Sequence, residues 1–422
     1  MLTMRQKKAV TRELKDRYQR SSKKEKSIIL NGFIQFTGYN RCYACQILNV
    51  KKEKVLGYMN IGGKRVRLVR DKRKIKRKKK KIYDQDVLVA LKEIWKIFDY
   101  LCSKRLAPFL SEIIPVLERW GEIKLSTKVK EKLFKISAAT IDRLLADTRK
   151  KGRIKGRSTT KPGTLLKKSI PIRTFADWDE KVPGFFEVDL VSHDGGATKG
   201  DFNQSLNFTD IATGWEEMVA VKNKAQVWVF EGIKEIEGRL PFSILGIDSD
   251  NGAEFINAHL IRYCKEHKIT FTRSRPYRKN DSCFVEQKNW SVIRRAVGYG
   301  RYDTDKELSI LNELYGYLRL YTNFFQPVRK LIKKERIGSK VIKRYDEAKT
   351  PYRRVLASPD IEDEIKMKLK NQYAMLNPAE LKRKITKLQD KLLKLNALKQ
   401  KVREDLLEKS VEPSSRFEYI SS

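Results

Sequence analysis

The chain has 422 residues, with 92 Lys or Arg against 52 Asp or Glu, so its formal charge at pH 7 is +40. Hydrophobic residues make up 40% and aromatics 10%, enough apolar material for buried cores, which excludes wholesale disorder; the length suggests about two to four domains. A field this positive calls for a polyanion, nucleic acid first and an anionic membrane second, but no apolar run approaches the ~18–20 residues that cross a bilayer.

The N-terminal MLTMRQKKAVTRELK has no apolar signal core, so the chain reads as a soluble, cytoplasmic protein. Three periodic segments follow, roughly 5–18, 22–35 and 38–48, with Thr37 placed to cap the third. Residues 1–50 thus have the pattern of a trihelical helix-turn-helix, a pattern any small helical bundle also gives. Cys42-x-x-Cys45 has no second Cys or His pair nearby to complete a zinc site, so both are read as small packing residues on a helix. The odd total of five cysteines fits reduced thiols.

Residues 51–82 read as a basic linker, because 51–81 hold 16 Lys or Arg against Glu53 and Asp71. Residues 83–148 read as a second helical, DNA-binding segment. Within it Val87, Leu91, Trp95, Phe98 and Leu101 mark buried positions, and Ser137 is placed to cap the second helix of a helix-turn-helix over 127–147. A second basic linker, 149–183, has ten basic residues and no acid up to residue 176, broken by Gly152, Gly156, Pro162, Gly163 and Pro171. Each linker is either a solvated connector or a segment that tracks phosphates.

From 184 to about 325 the pattern becomes mixed α/β, with strands at 184–191, 203–209, 215–221, 243–248 and 269–272 and helices at 224–238, 254–266 and 282–297. Residues 184–300 carry 15 basic and 16 acidic side chains, so the excess charge lies in the flanks. Residues 326–380 form a basic C-terminal region and 409–422 a tail. Over 381–408, Leu381, Ile385, Leu388, Leu392, Leu395, Val402 and Leu406 make a heptad seam, with Lys399 in one apolar slot. Such a seam pairs between protomers or lies on the protein's own core; self-association is the slightly favoured expectation.

Three carboxylates stand at the ends or edges of elements, where side chains from separate strands can converge: Asp189, Asp250 and Glu286. Asp189 lies inside an apolar strand, costly for a charge without a partner or a metal. Three acceptor-only groups repel, and hard divalent cations such as Mg²⁺ or Mn²⁺ resolve that repulsion. A two-ion phosphoryl-transfer site is the expected chemistry, with caps and surface charges as the plain alternative for each acid alone. Glu187 and Asp248, two residues before Asp189 and Asp250, share their strand faces and compete for the same roles. Asp194 and Asp210 read as turn residues.

These residues resemble a known signature. Phe186-Glu-Val-Asp189-Leu, Asp250-Asn-Gly-Ala-Glu-Phe255 and Val285-Glu286-Gln-Lys-Asn289, with 35 residues between Asp250 and Glu286, are similar to the motifs of the retroviral-type integrase catalytic core and Asp-Asp-Glu transposase family. Thr209-Asp210-x-Ala-Thr-Gly214, Arg275-Pro-Tyr-Arg-Lys-Asn280-Asp281 and Asn323-Phe-Phe-Gln-Pro327 add to the likeness, which covers about 184–327; the layout around it resembles the bacterial insertion-sequence transposase type. The resemblance implies a ribonuclease-H-like fold, a five-stranded mixed sheet flanked by helices, behind all-α helix-turn-helix segments. It implies Asp189, Asp250 and Glu286 as catalytic residues holding two Mg²⁺ or Mn²⁺ ions, double-stranded DNA at element ends and target as partner, and a homo-oligomer assembled on DNA. The paired His and Cys module that precedes retroviral cores is absent from the sequence, which leaves end recognition to the helix-turn-helix segments. Arg273, Arg275, Arg278, Lys279, Lys288, Asn289, Arg294 and Arg295 are the expected DNA contacts around the entrance, while Trp290 and Ile293 are expected in the core. A nuclease that only hydrolyses and a non-catalytic DNA-binding regulator are the competing functions.

Overall fold

The computed structural model describes residues 2–49, 55–69, 82–150, 172–173, 181–250, 252, 254–255, 257–274, 283–337 and 340–411. It divides into two compact units, Met1–Lys80 and Lys81–Ser422.

The first unit begins with three helices, α1 (Met4–Arg20), α2 (Lys23–Thr37) and α3 (Arg41–Asn49), closed around Tyr18, Leu30, Phe33, Ala44 and Leu48. Capping boxes at Thr3/Gln6 and Ser22/Glu25 start the first two helices. Thr37 does not cap α3: it ends α2, where its hydroxyl donates to the Phe33 carbonyl, and Gly38 turns the chain at φ +68°. Asn40 Oδ1 accepts from the Cys42 amide instead. Cys45 is half-buried beside the Tyr18 hydroxyl, as a packing residue should be, but Cys42 is exposed. The basic segment after α3 is more than a linker, since β1 (Val55–Ile61) and β2 (Lys64–Val69) pair as an antiparallel hairpin. The lysine-rich run 70–81 lies outside the described residues.

In the second unit, α4 (Gln85–Ile97), α5 (Ser103–Arg119), α6 (Thr127–Phe134) and α7 (Ala138–Lys150) form the expected helical segment, and Ser137 Oγ accepts from the Thr140 amide at the head of α7. Its apolar residues, Leu91, Phe98 and Leu110 among them, belong to the same continuous core as the α/β region.

That region is built on a six-stranded mixed sheet in the order β3-β8-β7-β4-β5-β6. Five strands carry it: β4 (Phe185–Ser192), β5 (Gln204–Asp210), β6 (Glu216–Val221), β7 (Gly246–Ser249) and β8 (Thr270–Ser274); β3 is only Ile172–Arg173 at the edge. β4, β5 and β6 are antiparallel, while β7 and β8 run parallel to β4. This is the five-stranded mixed sheet that the resemblance implies. α8 (Gln226–Glu237) packs on β5 and β6, and α9 (Ala258–Glu266) on β8. Gly246 has no room for a Cβ, which would lie 2.5 Å from the Phe185 ring.

Cys283–Val297 is a nearly continuous helical stretch: α10 (Cys283–Lys288), a π-helical stretch (Asn289–Arg294) and α11 (Arg295–Val297). α12 (Asp305–Phe325) starts with a capping box at Thr304/Glu307 and packs on β6. After it come a second hairpin, β9 (Leu331–Ile337) with β10 (Lys340–Tyr345), then α13 (Pro351–Ala357), α14 (Asp363–Met375) and α15 (Pro378–Val411).

α15 carries the heptad seam and lays it on the protein's own α12, burying Leu381, Ile385, Leu388 and Leu392. The leaning towards self-association through this seam is therefore corrected over 381–395; Val402 is exposed. Lys399 suits its apolar slot because its ammonium meets Asp303 Oδ1 at 2.8 Å and Glu307 Oε1 at 2.7 Å, seating α15 on the capping box of α12.

Candidate active site

Sheet register decides which acids meet. Glu187 of β4 is paired with Asp248 of β7 and Thr209 of β5, and Asp248 with Thr272 of β8, so these four form one transverse row. Two residues along β4, on the same face, Asp189 pairs with Asn207, and Asp250 leaves β7 one step beyond the last paired residues, Val188 and Ser249. The first row is buried, and so is Asn207 of the second, whereas Asp189 and Asp250 are partly exposed.

The deeper row is buried and hydrogen-bonded. Glu187 is fully buried, and its Oε2 accepts the Val285 amide at 2.7 Å, capping α10 one residue before Glu286. Burial pushes its carboxyl well above the usual range, and Asp248 adds to the rise. Asp248 accepts from the Thr272 hydroxyl at 2.5 Å. Both of these alternatives to Asp189 and Asp250 are buried.

In the outer row, Asp189 is held by two donors, its own strand's Leu190 amide at 2.8 Å and Asn289 Nδ2 at 2.6 Å. Asn289 is aimed in turn by Asn207 Nδ2, which donates to its Oδ1 at 2.8 Å. The Asp189 carboxyl is pushed up to about 8, first by burial, then by the neighbouring Asp250 and Glu286. The Asp250 carboxyl is raised by burial against one restraining hydrogen bond from the Gly252 amide, 2.8 Å away. Glu254 is a fourth acid in this field: burial and Asp250 raise it, while Lys224 counters. The fold thus brings Asp250 and Glu286 within electrostatic reach of Asp189. Among the described residues, no three His, Cys, Asp or Glu side chains are gathered closely enough to hold a metal ion as they stand.

No protein-family model matches the chain. Over 330 residues, 78% of this chain and 89% of the relative, it is 39% identical to the uncharacterized protein y4rM of Sinorhizobium fredii. The chain belongs to that protein's family. Solved structures to which the chain shows a likeness include the catalytic core domain of BIV integrase, at 17% identity over 45% of this chain and 97% of that one, TM-score 0.28. The HTLV-2 integrase catalytic core domain in complex with magnesium is 15% identical over 35% and 91%, TM-score 0.26. One chain of the simian T-cell lymphotropic virus intasome in complex with PP2A regulatory subunit B56 gamma is 14% identical over 50% and 69%, TM-score 0.29.

In this member of the family the expected DNA contacts scatter. Arg275, Arg278 and Lys279 fall in 275–282, outside the described residues. Arg273 is buried on β8. Lys288 is not at the entrance: its ammonium is turned inward, 2.7 Å from the fully buried Glu216. Arg294 donates to the Ser192 carbonyl at 2.7 Å and lies over the Tyr299 ring at 4.7 Å. Arg295 pairs with Asp99 at 2.8 Å. Asn289 faces the site through Asp189. Ile293 is in the core as expected, whereas Trp290 is 61% exposed, because the π-helical stretch begins at Asn289 and breaks the α-helical repeat there.

Asn207 and Glu254 were not anticipated. Asn207 was findable, as an amide in an apolar strand; its register opposite Asp189 was not. The Glu187 cap depends on the same long-range pairing.

Proposed function

We propose that the chain is a DNA transposase or integrase that cuts phosphodiesters at element ends and transfers the freed 3′-hydroxyl into target DNA. The observation that carries this reading is the placing of Asp250 and Glu286 beside Asp189, whose carboxyl is pushed up to about 8 by burial first and by these two acids next. A carboxyl raised by neighbouring carboxyls is the signature of a site with a deficit of positive charge. Two Mg²⁺ or Mn²⁺ ions suit the donor set, which is all hard oxygen, and Asp189, Asp250 and Glu286 would hold them once their side chains close on the ions. Bound there, the ions would lower the pKa of water and stabilise the leaving oxygen. The chain's own contribution is positioning: Asn207 aims Asn289, Asn289 fixes one oxygen of Asp189, and Glu187 holds the helix from which Glu286 projects.

The first unit's three helices suit a helix-turn-helix reader of the element end, and joining two ends requires more than one copy of the chain on DNA. The reading is tested with labelled duplexes cut from the DNA that flanks the gene, incubated with the full chain and Mg²⁺. Strand-transfer products are expected; nicks alone would make the protein a nuclease, and binding alone a regulator. Asp250→Asn should abolish joining, and full strand transfer by that variant would overturn the assignment.

A further inference from the structure

Behind the helix that bears Glu286, on the side away from Asn289, the second unit encloses a cavity of about 760 Å³. One wall is the stretch from Phe284 to Ala296, another is α12 and α15, and the hairpin β9–β10 closes the mouth. Its size is that of a small-molecule site, ~300–1,000 Å³.

The charge of its walls is lopsided. Seven Lys or Arg line it against a single acid, Asp99. Glu216, just outside, neutralises Lys288, and Asp99 is shared by Arg295 at 2.8 Å and Lys382 at 3.1 Å. Deeper in, Arg105 donates through Nε to the Pro327 carbonyl, and Lys330 donates to the carbonyls of Ile211 and Ala212 at 2.6 and 2.5 Å. Carbonyls satisfy donors but do not neutralise charge. Burial draws the Lys330 ammonium down to about 8, and Arg105 is lowered by burial and by the neighbouring Arg295. Asp210 and Asp346 also bear on Lys330, so seven cations face four carboxylates, Asp99, Glu216, Asp210 and Asp346, and the surplus of positive charge makes the recess an anion site. The same walls carry aromatic faces: Phe284 lies inside, and Tyr345 at the mouth has the Arg329 guanidinium 5.0 Å from its ring centre.

We propose that this cavity binds a nucleotide, with its phosphate against Arg105, Arg295 and Lys330 and its base stacked on the aromatic wall. Cations that meet phosphate and rings that take a base are how proteins hold unpaired nucleotides. The ligand is either a free nucleotide or a nucleotide unpaired at a DNA end. The site stands apart from the acidic triad, so it does not depend on the catalytic reading.

Isothermal titration of the full chain with deoxyadenosine monophosphate tests it. One saturable site per chain is expected, with deoxyadenosine and inorganic phosphate each at least ~10-fold weaker, since each engages one half of the recess. Arg105→Gln should weaken binding ~10-fold or more, and Lys343→Ala, at the exposed mouth where folding is not at stake, by a few-fold. A duplex with an unpaired terminal nucleotide that displaces the monophosphate would identify a DNA end as the ligand, and binding of both together a free nucleotide. No saturable binding, or unchanged binding in both variants with wild-type circular dichroism, would overturn the proposal. Asp250→Asn should bind the monophosphate as wild type does, which separates this test from that of the proposed function.

Discussion

Replacing Lys288 by Met separates a buried structural lysine from a phosphate contact. Its side chain is 10% exposed and Glu216 0%, with 2.7 Å between the charged atoms. Removing the lysine strands a carboxylate in the core between β6 and α10, and breaking one partner of a buried pair costs about 3–5 kcal/mol. Glu216 limits that loss by taking up a proton. Its carboxyl already lies above the ordinary value because burial outweighs Lys288, and without the lysine it rises further. A carboxyl raised in the folded state binds more protons there than in the unfolded chain, so the penalty is full above the folded pKa and fades as pH falls towards the unfolded value of 4.5. Urea unfolding of the full chain at pH 7.5 and pH 5 should show the variant much less stable at the higher pH and partly recovered at the lower. Glu216→Gln in the same background should restore about half or more of the loss. Equal stability of Lys288→Met and wild type at both pH values, with a salt dependence of DNA binding flatter by about 0.9 in log–log slope, would refute the reasoning and return Lys288 to the phosphate contacts.

With divalent cations removed, the Asp189 carboxyl at about 8 makes the wild-type chain lose stability as pH rises from about 4 to 8, relative to Asp189→Asn. Parallel thermal unfolding curves across that range would contradict the crowding of the three acids, and added Mg²⁺ should raise the wild-type midpoint at pH 8 but not that of Asp189→Asn. Lys399→Leu leaves Glu307, 2% exposed in its side chain, without its cation, while Asp303 keeps Arg301, and should destabilise the chain by about 2–4 kcal/mol with no change in sedimentation. A more stable variant of higher mass would show that the seam pairs between protomers.

The three candidate carboxylates could be picked out because each carries a local mark: a charged residue inside an apolar strand, Asp250-Asn-Gly252 after a buried one, and Glu286 at the head of a helix. The basic rim was not, because a lysine on an amphipathic helix faces solvent or core according to its neighbours, and Lys288 met Glu216 from a strand 72 residues away. The hairpin at Val55–Val69 was hidden by the lysine-rich stretches on either side of it, although Gly62-Gly63 marks its turn.

The heptad seam shows the same division. Its spacing, and the anomaly at Lys399, are properties of one helix, so the sequence alone determined that α15 has an apolar stripe with one charge in it. Whether the stripe met another protomer or α12 depended on which surface the rest of the chain offered, and the acids of the α12 cap, Asp303 and Glu307, settle where Lys399 goes. Local order follows from spacing and residue type. The meeting of Asp189 with Asp250, the capping of α10 by Glu187 and the cationic cavity behind it follow from pairings between residues far apart in the chain, which only the folded sheet sets in register.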